Sequence, residues 1–235
     1  EVEPDVDFAF SLGGDGTVLF CSRLLGGREI PILAVNIGDF GFITEVSKDE
    51  WRAVFESYLQ GHVGLSSRVM LEVSVRRNGR RMGPYLALND AVIGAHRISK
   101  VIKLGVRISD TALGRYRADG LIISTPTGST AYSMAAGGPI LTPEMEAMIL
   151  NPICPFTLSN RPLVVPGEEA IDIEVEEQRP EIILTLDGQT VIPLESADTI
   201  RIHAAETKAV IIRSDKRNFL DVLRAKLKWA GGPDA

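Results

Sequence analysis

The sequence predicts an α/β domain followed by an all-β, sandwich-like domain, and three observations carry that prediction. In the first sixty residues apolar runs alternate between strand-like and helix-like segments. From about Ser66 the pattern changes to strict alternation broken by Pro, Gly and Asp turns, the mark of antiparallel sheet. The last twenty residues return to helical spacing, which places a terminal helix back on the first domain. The expected boundaries are 1–63 with 214–235 for the α/β domain and 64–213 for the β-rich domain.

Each element has a local reason. Asp7 to Leu12 reads as a buried strand, and Val18 to Leu25 as a short helix ending at Gly26-Gly27. Ile30 to Val35 is apolar enough to be buried on both faces, as parallel strands between layers are. Ser47-Lys-Asp-Glu50 has the form of a capping box, and Trp51, Val54, Phe55, Tyr58 and Leu59 then recur at helical spacing. These strands and helices give the first domain a Rossmann-like arrangement. In the second domain Leu71, Val73 and Val75 alternate, and Asn78-Gly79 supplies the residues of a tight hairpin. The same alternation recurs at Ile102 to Ile108, Ile171 to Val175, Ile182 to Leu186 and Ile200 to Ile202. Ser214-Asp215 is expected to cap a last helix that buries Phe219, Val222, Leu223 and Leu227.

Composition excludes several classes of function. The chain has 235 residues, 45% hydrophobic and 24% charged, which describes a soluble globular protein of one or two domains. Thirty-one acidic against 25 basic side chains give a net charge of −6 and argue against a nucleic-acid partner, which a basic face would attract. No apolar run approaches the roughly 18 residues of a membrane span, and no signal peptide opens the sequence, so neither a membrane nor export is expected. Cys21 and Cys154 lack disulfide or zinc spacing and fit a reducing, cytoplasmic compartment. Glu1 is not a methionine and the first strand begins almost at once, from which an upstream stretch is expected to be missing.

Two segments carry most of the candidate chemistry. Gly13-Gly-Asp-Gly-Thr17 stands where a buried strand ends and a helix begins, the place where open α/β sheets present ligands. Such a loop can bring backbone N–H groups against a phosphate at a helix N-terminus. Asp15 among phosphates makes sense as a holder of Mg²⁺ or as a base that takes a hydroxyl proton. The competing reading is a Gly-rich turn whose Asp caps the next helix. The second segment runs from Asp119 to Ser133, where a short apolar strand enters a string of hydroxyls. Ser124, Thr125, Thr127, Ser129 and Thr130 can bond a ribose or amide without adding charge, and Tyr132 can pack on a ring. Here the competing reading is a Ser/Thr-rich turn capping a helix from Ala131 to Ala136. Asn89-Asp90 and Asp187-Gly188-Gln189 are smaller candidates, the latter readable as a plain hairpin turn. Arg76, Arg77, Arg80 and Arg81 read as a solvated hairpin tip, and His62, His96 and His203 have no ligand spacing.

Taken together, the Gly-Gly-Asp-Gly loop, Asn89-Asp90, Asp119-Gly120, Thr125-Pro-Thr-Gly-Ser-Thr-Ala-Tyr132 and Leu186-Asp-Gly188 occur in the order seen in NAD kinases, and the chain resembles that family over nearly its whole length. Asn36-Ile-Gly-Asp-Phe-Gly-Phe42, Ala136-Gly-Gly-Pro-Ile140 and Ser159-Asn-Arg-Pro-Leu163 extend the resemblance. It implies transfer of a phosphoryl group from ATP, or from polyphosphate, to the 2′-hydroxyl of the adenosine ribose of NAD, with Mg²⁺ or another divalent cation. By the family's pattern Asp15 is the base or ion-linked carboxylate, and Gly14, Gly16 and Thr17 hold phosphates. Asn89 and Asp90 hold NAD; Phe42, Thr127, Thr130, Ala131 and Tyr132 line its pocket, with Asp187 near the same ligand. Asp119 reaches an NAD bound mainly to a neighbouring subunit, so the resemblance also implies a homodimer or homotetramer with NAD sites at subunit contacts. Family members carry a further α/β stretch before the Gly-rich loop, where this sequence has twelve residues, and they often have His where Phe156 stands. A lipid kinase of the diacylglycerol type, which shares the Gly-Gly-Asp-Gly loop, and a non-catalytic NAD-binding module are the alternatives.

Overall fold

A computed structural model describes residues 5–38, 41–96, 101–157, 160–176, 181–214 and 216–228. Contacts divide the chain into two compact units, residues 1–68 with 208–235 and residues 69–207.

In the first unit, strands β1 (Ala9–Gly13), β2 (Ile32–Asn36), β3 (Val46–Ser47), β4 (Leu65–Arg68) and β17 (Ala209–Ile212) form one sheet in the order β1-β2-β17-β4, with β3 against β2. β2 is parallel to β1, β3 and β17, and every residue of it is buried. Its apolar run meets other elements on both faces, as the sequence predicts. Helix α1 (Asp15–Leu25) begins three residues before the expected start, directly on the Gly-rich loop, and ends at Gly26. Helix α2 (Trp51–Leu59) packs Val54 with Leu33, Val35 and Val46, and Trp51, Phe55 and Tyr58 cover that core. Its capping box is half formed: Ser47 N–H and Oγ both donate to Glu50, and Ser47 leaves the first-turn N–H groups alone. Helix α4 (Phe219–Leu227) starts later than expected, because Asn218 and Asp221 form the capping box. Ser214 instead accepts from Lys216 N, and Asp215 lies outside the described residues. Strands β4 and β17, both inside the expected second domain, belong to the first sheet, which moves the boundaries to 68/69 and 207/208.

The second unit is a sandwich of two antiparallel six-stranded sheets. One contains β5 (Leu71–Arg77), β6 (Arg80–Ala87), β8 (Ile102–Ile108), β9 (Thr111–Ala118), β13 (Ile171–Val175) and β16 (Thr199–Ala204), in the order β6-β5-β16-β13-β8-β9. The other contains β7 (Asp90–Ala95), β10 (Gly120–Ser124), β11 (Ala147–Ile153), β12 (Leu163–Pro166), β14 (Ile182–Leu186) and β15 (Thr190–Leu194), in the order β12-β11-β10-β7-β14-β15. Alternate residues of both sheets, among them Val73, Leu104, Ile173 and Ile202 facing Ile93, Ile123, Leu150 and Leu184, make one core. The Asn78-Gly79 hairpin forms as read, with both residues at positive φ. Arg77 does not belong to a solvated tip: its guanidinium grips Asp198, Glu195 and the carbonyl of Pro193. Strand β10 is buried on both faces, because the chain after it folds back over its sheet through a 3₁₀ turn (Thr127–Thr130), the single turn α3 (Tyr132–Ala135) and Leu141, which packs on Ala147 and Ile149.

Candidate active site

In the first unit β1 ends at Gly13 and α1 begins at Asp15, so the Gly-rich loop sits at the carboxyl end of a parallel strand. Gly14, Gly16 and Thr17 are exposed there, and Thr17 N–H closes the turn on Gly14 O at 3.0 Å. Asp15 does not cap its own helix. Its Oδ2 accepts from Phe42 N at 2.7 Å, while Oδ1 accepts from Ile43 N at 3.0 Å and from Thr44 N and Oγ1, each at 3.1 Å. A carboxylate can accept about four hydrogen bonds, two at each oxygen, so Oδ1 is saturated and Oδ2 keeps acceptor capacity. The tether explains Gly41: a Cβ there would lie 1.9 Å from Asp15 Oδ1. Thr44 holds the other side, accepting from Asn36 Nδ2 at 2.8 Å and Gly41 N at 3.1 Å. Sequence reasoning singled out Asp15 and Phe42 and missed Thr44. The only signal was a Thr three residues beyond Asp39-Phe40-Gly41, too weak to single out. Asp39 and Phe40 of the same motif lie outside the described residues.

In the second unit the site gathers at one end of a sheet. Ser124, the last residue of β10, is the register partner of Asp90, the first of β7, and Leu186 at the end of β14 pairs with Ala91. Register alone therefore brings Thr125, Asn89-Asp90 and Asp187 together. A pocket of about 380 Å³ is lined by Asn89, Asp90, Val92, Ala131, Tyr132, Thr185, Asp187 and Gly188. Asn89 Oδ1 and Thr127 Oγ1 are buried without a partner among the described residues, which is what a polar ligand's groups would relieve. Asp90 is buried, and its carboxyl is pushed up to about 7, first by burial and then by the charge of Asp187. Asp187 uses both oxygens on backbone, accepting from Leu88 N at 3.1 Å, Asn89 N at 2.7 Å and Asp90 N at 3.2 Å.

The hydroxyl string is mostly turned inward, against expectation. Ser124 Oγ donates to Asn89 O, Thr125 Oγ1 to Leu88 O, Ser129 Oγ to Leu141 O and Thr130 Oγ1 to Thr127 O. Four of the five hydroxyls thus satisfy backbone carbonyls of the segments around the pocket. Gly128 belongs to the same construction, since a Cβ there would fall 2.1 Å from Asn89 O. Thr127 and Thr130 are buried, Ala131 half-buried and Tyr132 48% exposed, so a ring face is available. Asp119 is exposed at the junction of β9 and β10, away from these contacts, with its N–H on Ile153 O. Phe156 is 71% exposed and carries the Arg117 guanidinium 5.0 Å from its ring centroid.

A larger open trough of about 920 Å³ on the outer face of the β6–β9 sheet contains none of these residues. Its charges are largely spent in cross-strand pairs such as Arg201 with Asp172 at 3.3 Å and Arg115 with Glu176 at 2.8 Å. Cys21 and Cys154 are free thiols, no group of three His, Cys, Asp or Glu among the described residues is arranged to hold a metal, and no helix among them is long and apolar enough to cross a membrane.

A Gly-Asp-Gly loop opening a helix at the end of a parallel strand in one unit, and a pocket lined by amide, carboxyl and aromatic side chains in the other, define a nucleotide-binding kinase. Comparison with known proteins gives the family. Residues 1–63 match the ATP-NAD kinase N-terminal domain and residues 88–214 the ATP-NAD kinase C-terminal domain. An NAD kinase of Geobacter sulfurreducens is 44% identical over 95% of this chain and 78% of its own length, and one of Treponema denticola is 44% identical over 98% and 82%. Among solved structures, a yeast NADH kinase complexed with NADH superposes with a TM-score of 0.88 at 29% identity, covering 96% of this chain and 67% of that one. An NAD kinase from Archaeoglobus fulgidus in complex with ATP gives 0.81 at 30% identity, covering 96% and 84%. The chain belongs to the NAD kinase family, and it is a kinase that phosphorylates NAD to NADP.

Proposed function

We propose that the first unit is the nucleotide-binding domain and the second the NAD-binding domain of this kinase, and that Asp15 is the catalytic base at the 2′-hydroxyl of the adenosine ribose. The observation that carries the proposal is the Asp15 carboxylate: fixed by four donors inside a phosphate-type loop, it keeps one oxygen able to accept a hydroxyl proton. Gly14, Gly16 and Thr17 hold phosphates of ATP at the exposed head of α1, where the helix dipole favours anions. Asn89, Asp90, Thr127, Thr130, Ala131 and Tyr132 hold NAD, and Phe42, whose N–H is fixed on Asp15, packs on it.

A divalent cation such as Mg²⁺ fits this donor set as an ion carried mainly on nucleotide phosphates, with Asp15 as a protein carboxylate beside it. When bound it supplies charge neutralisation at the transferred group; the chain's own contribution is positioning and hydrogen-bond donation. The exposure of Asp119 supports its reaching an NAD held by a second copy of the chain, in a homodimer or homotetramer.

The test is NADP formation from NAD, ATP and Mg²⁺, followed with a coupled NADP-specific dehydrogenase. Asp15→Asn is expected to lower kcat about 10²- to 10⁴-fold, the range for loss of a general base. A folded Asp15→Asn protein that keeps a near-normal rate would sink the assignment.

A further inference from the structure

We propose that Asp187 is a positioning residue: it shapes the Leu88–Asp90 segment that holds NAD and does not touch the ligand. This rests on the NAD kinase reading of the pocket and changes the role expected for Asp187 within it. Three successive backbone N–H groups, those of Leu88, Asn89 and Asp90, converge on the one carboxylate at 3.1, 2.7 and 3.2 Å. Such a run of N–H groups makes an anion-binding nest, and here the anion is a side chain 97 to 99 residues further along the chain. Asp187 N–H returns the contact by donating to Asp90 O at 2.9 Å. The residue sits at φ 51°, a left-handed turn position that Asp tolerates.

The opposite flank of the segment is held as firmly. Thr125 N and Ser124 Oγ donate to Asn89 O at 2.9 and 3.2 Å, and Thr125 Oγ1 donates to Leu88 O. With its backbone fixed from both sides, the segment presents the side chains of Asn89 and Asp90 to the pocket, and Asn89 Oδ1 is left buried without a partner among the described residues. Asp187 lines the same pocket, yet three of its roughly four acceptor positions face the segment.

A double-mutant cycle tests this, with steady-state KM for NAD and for ATP measured on the wild type, Asp187→Ala, Asp187→Asn, Asn89→Ala and Asn89→Ala/Asp187→Ala. Asp187→Ala strands three backbone donors, two of them buried, and is expected to raise KM for NAD about tenfold while KM for ATP stays within about twofold. Asp187→Asn keeps one acceptor oxygen and is expected to fall between the two. In the Asn89→Ala background the Asp187 change is expected to add less than about twofold, because residues that act through one another are non-additive. Multiplicative effects on KM for NAD would mean direct contact and overturn the proposal. Equal rises in both KM values, with a lowered Tm, would mean a purely structural role and also overturn it; Asp187→Asn carries the cycle if the Ala variant does not fold. If the wild type makes no NADP, the kinase reading has failed instead, and the same cycle is then decided on calorimetric Kd for NAD.

Discussion

Replacing Asp90 by Asn removes a titration that the fold opposes. The side chain is 5% exposed, and burial followed by the nearby Asp187 charge moves its carboxyl from 3.8 to about 7. Between those values the native state binds more protons at this site than the unfolded chain, so its contribution to stability declines as pH rises through the window and levels off above about 7. A shift of about three units at 1.36 kcal/mol each corresponds to a penalty on the order of 4 kcal/mol, of which about 3 kcal/mol develops between pH 5 and pH 8. Asn is nearly isosteric and cannot ionise. Asp90→Asn should therefore gain about 3 kcal/mol on the wild type between pH 5 and pH 8, whatever the offset between them at pH 5. Urea unfolding followed by far-UV circular dichroism reads this in the β-rich unit, whereas both tryptophans, Trp51 and Trp229, belong to the other unit. Parallel stability curves for the two proteins across that range would refute both the buried titration and the part assigned to Asp187.

Gly128→Ala places a methyl 2.1 Å from the carbonyl oxygen of Asn89, a backbone atom that cannot swing aside; a loss of about 1–3 kcal/mol and a raised KM for NAD are expected from denaturation and kinetics. Glu50 is held down to about 2, first by the Ser47 hydroxyl and then by Lys216, Ser47 N–H and Arg217 against the effect of burial. Its contribution is therefore present above pH 4.5 and is lost as pH falls towards 2. Glu50→Gln should destabilise the first unit by about 1–3 kcal/mol at pH 7, with the gap to wild type narrowing below pH 4.5 and closing only as pH falls through about 2, as read by tryptophan fluorescence. Chelation with EDTA should stop NADP formation, and excess Mg²⁺ should restore it; an unchanged rate in EDTA would remove the divalent ion from the reaction.

Much of this protein was legible locally. Parallel β2 announced itself by a run of apolar residues, the sandwich by alternation, and the β5–β6 hairpin by Asn78-Gly79, since each is dictated by which faces a segment must bury. The motifs stood out because a Gly-rich turn after one apolar run and a hydroxyl string after another are visible without knowing any partner, although Phe10 and Leu12 of the first run prove exposed rather than buried. Helix starts were read less well. Glu50 and Asn218, rather than the expected Ser47 and Ser214, stand at the heads of α2 and α4. Several polar residues resemble one another in such stretches, and local pattern does not rank them.

What the sequence determined by itself is therefore the order of layers, the kinase loop and the family, all properties of short segments or of their order along the chain. Tertiary structure decided what each polar side chain does. Asp15 and Asp187 look alike in sequence as lone carboxylates beside glycine, and each collects three successive N–H groups, one 27 to 29 residues away and the other 97 to 99. The hydroxyls after β10 look like ligand donors, and most serve the backbone of 88–89 and their own turn. A hydrogen bond is satisfied by whichever partner the fold brings within about 3 Å, and which partner arrives is fixed by strand register rather than by neighbours in the chain.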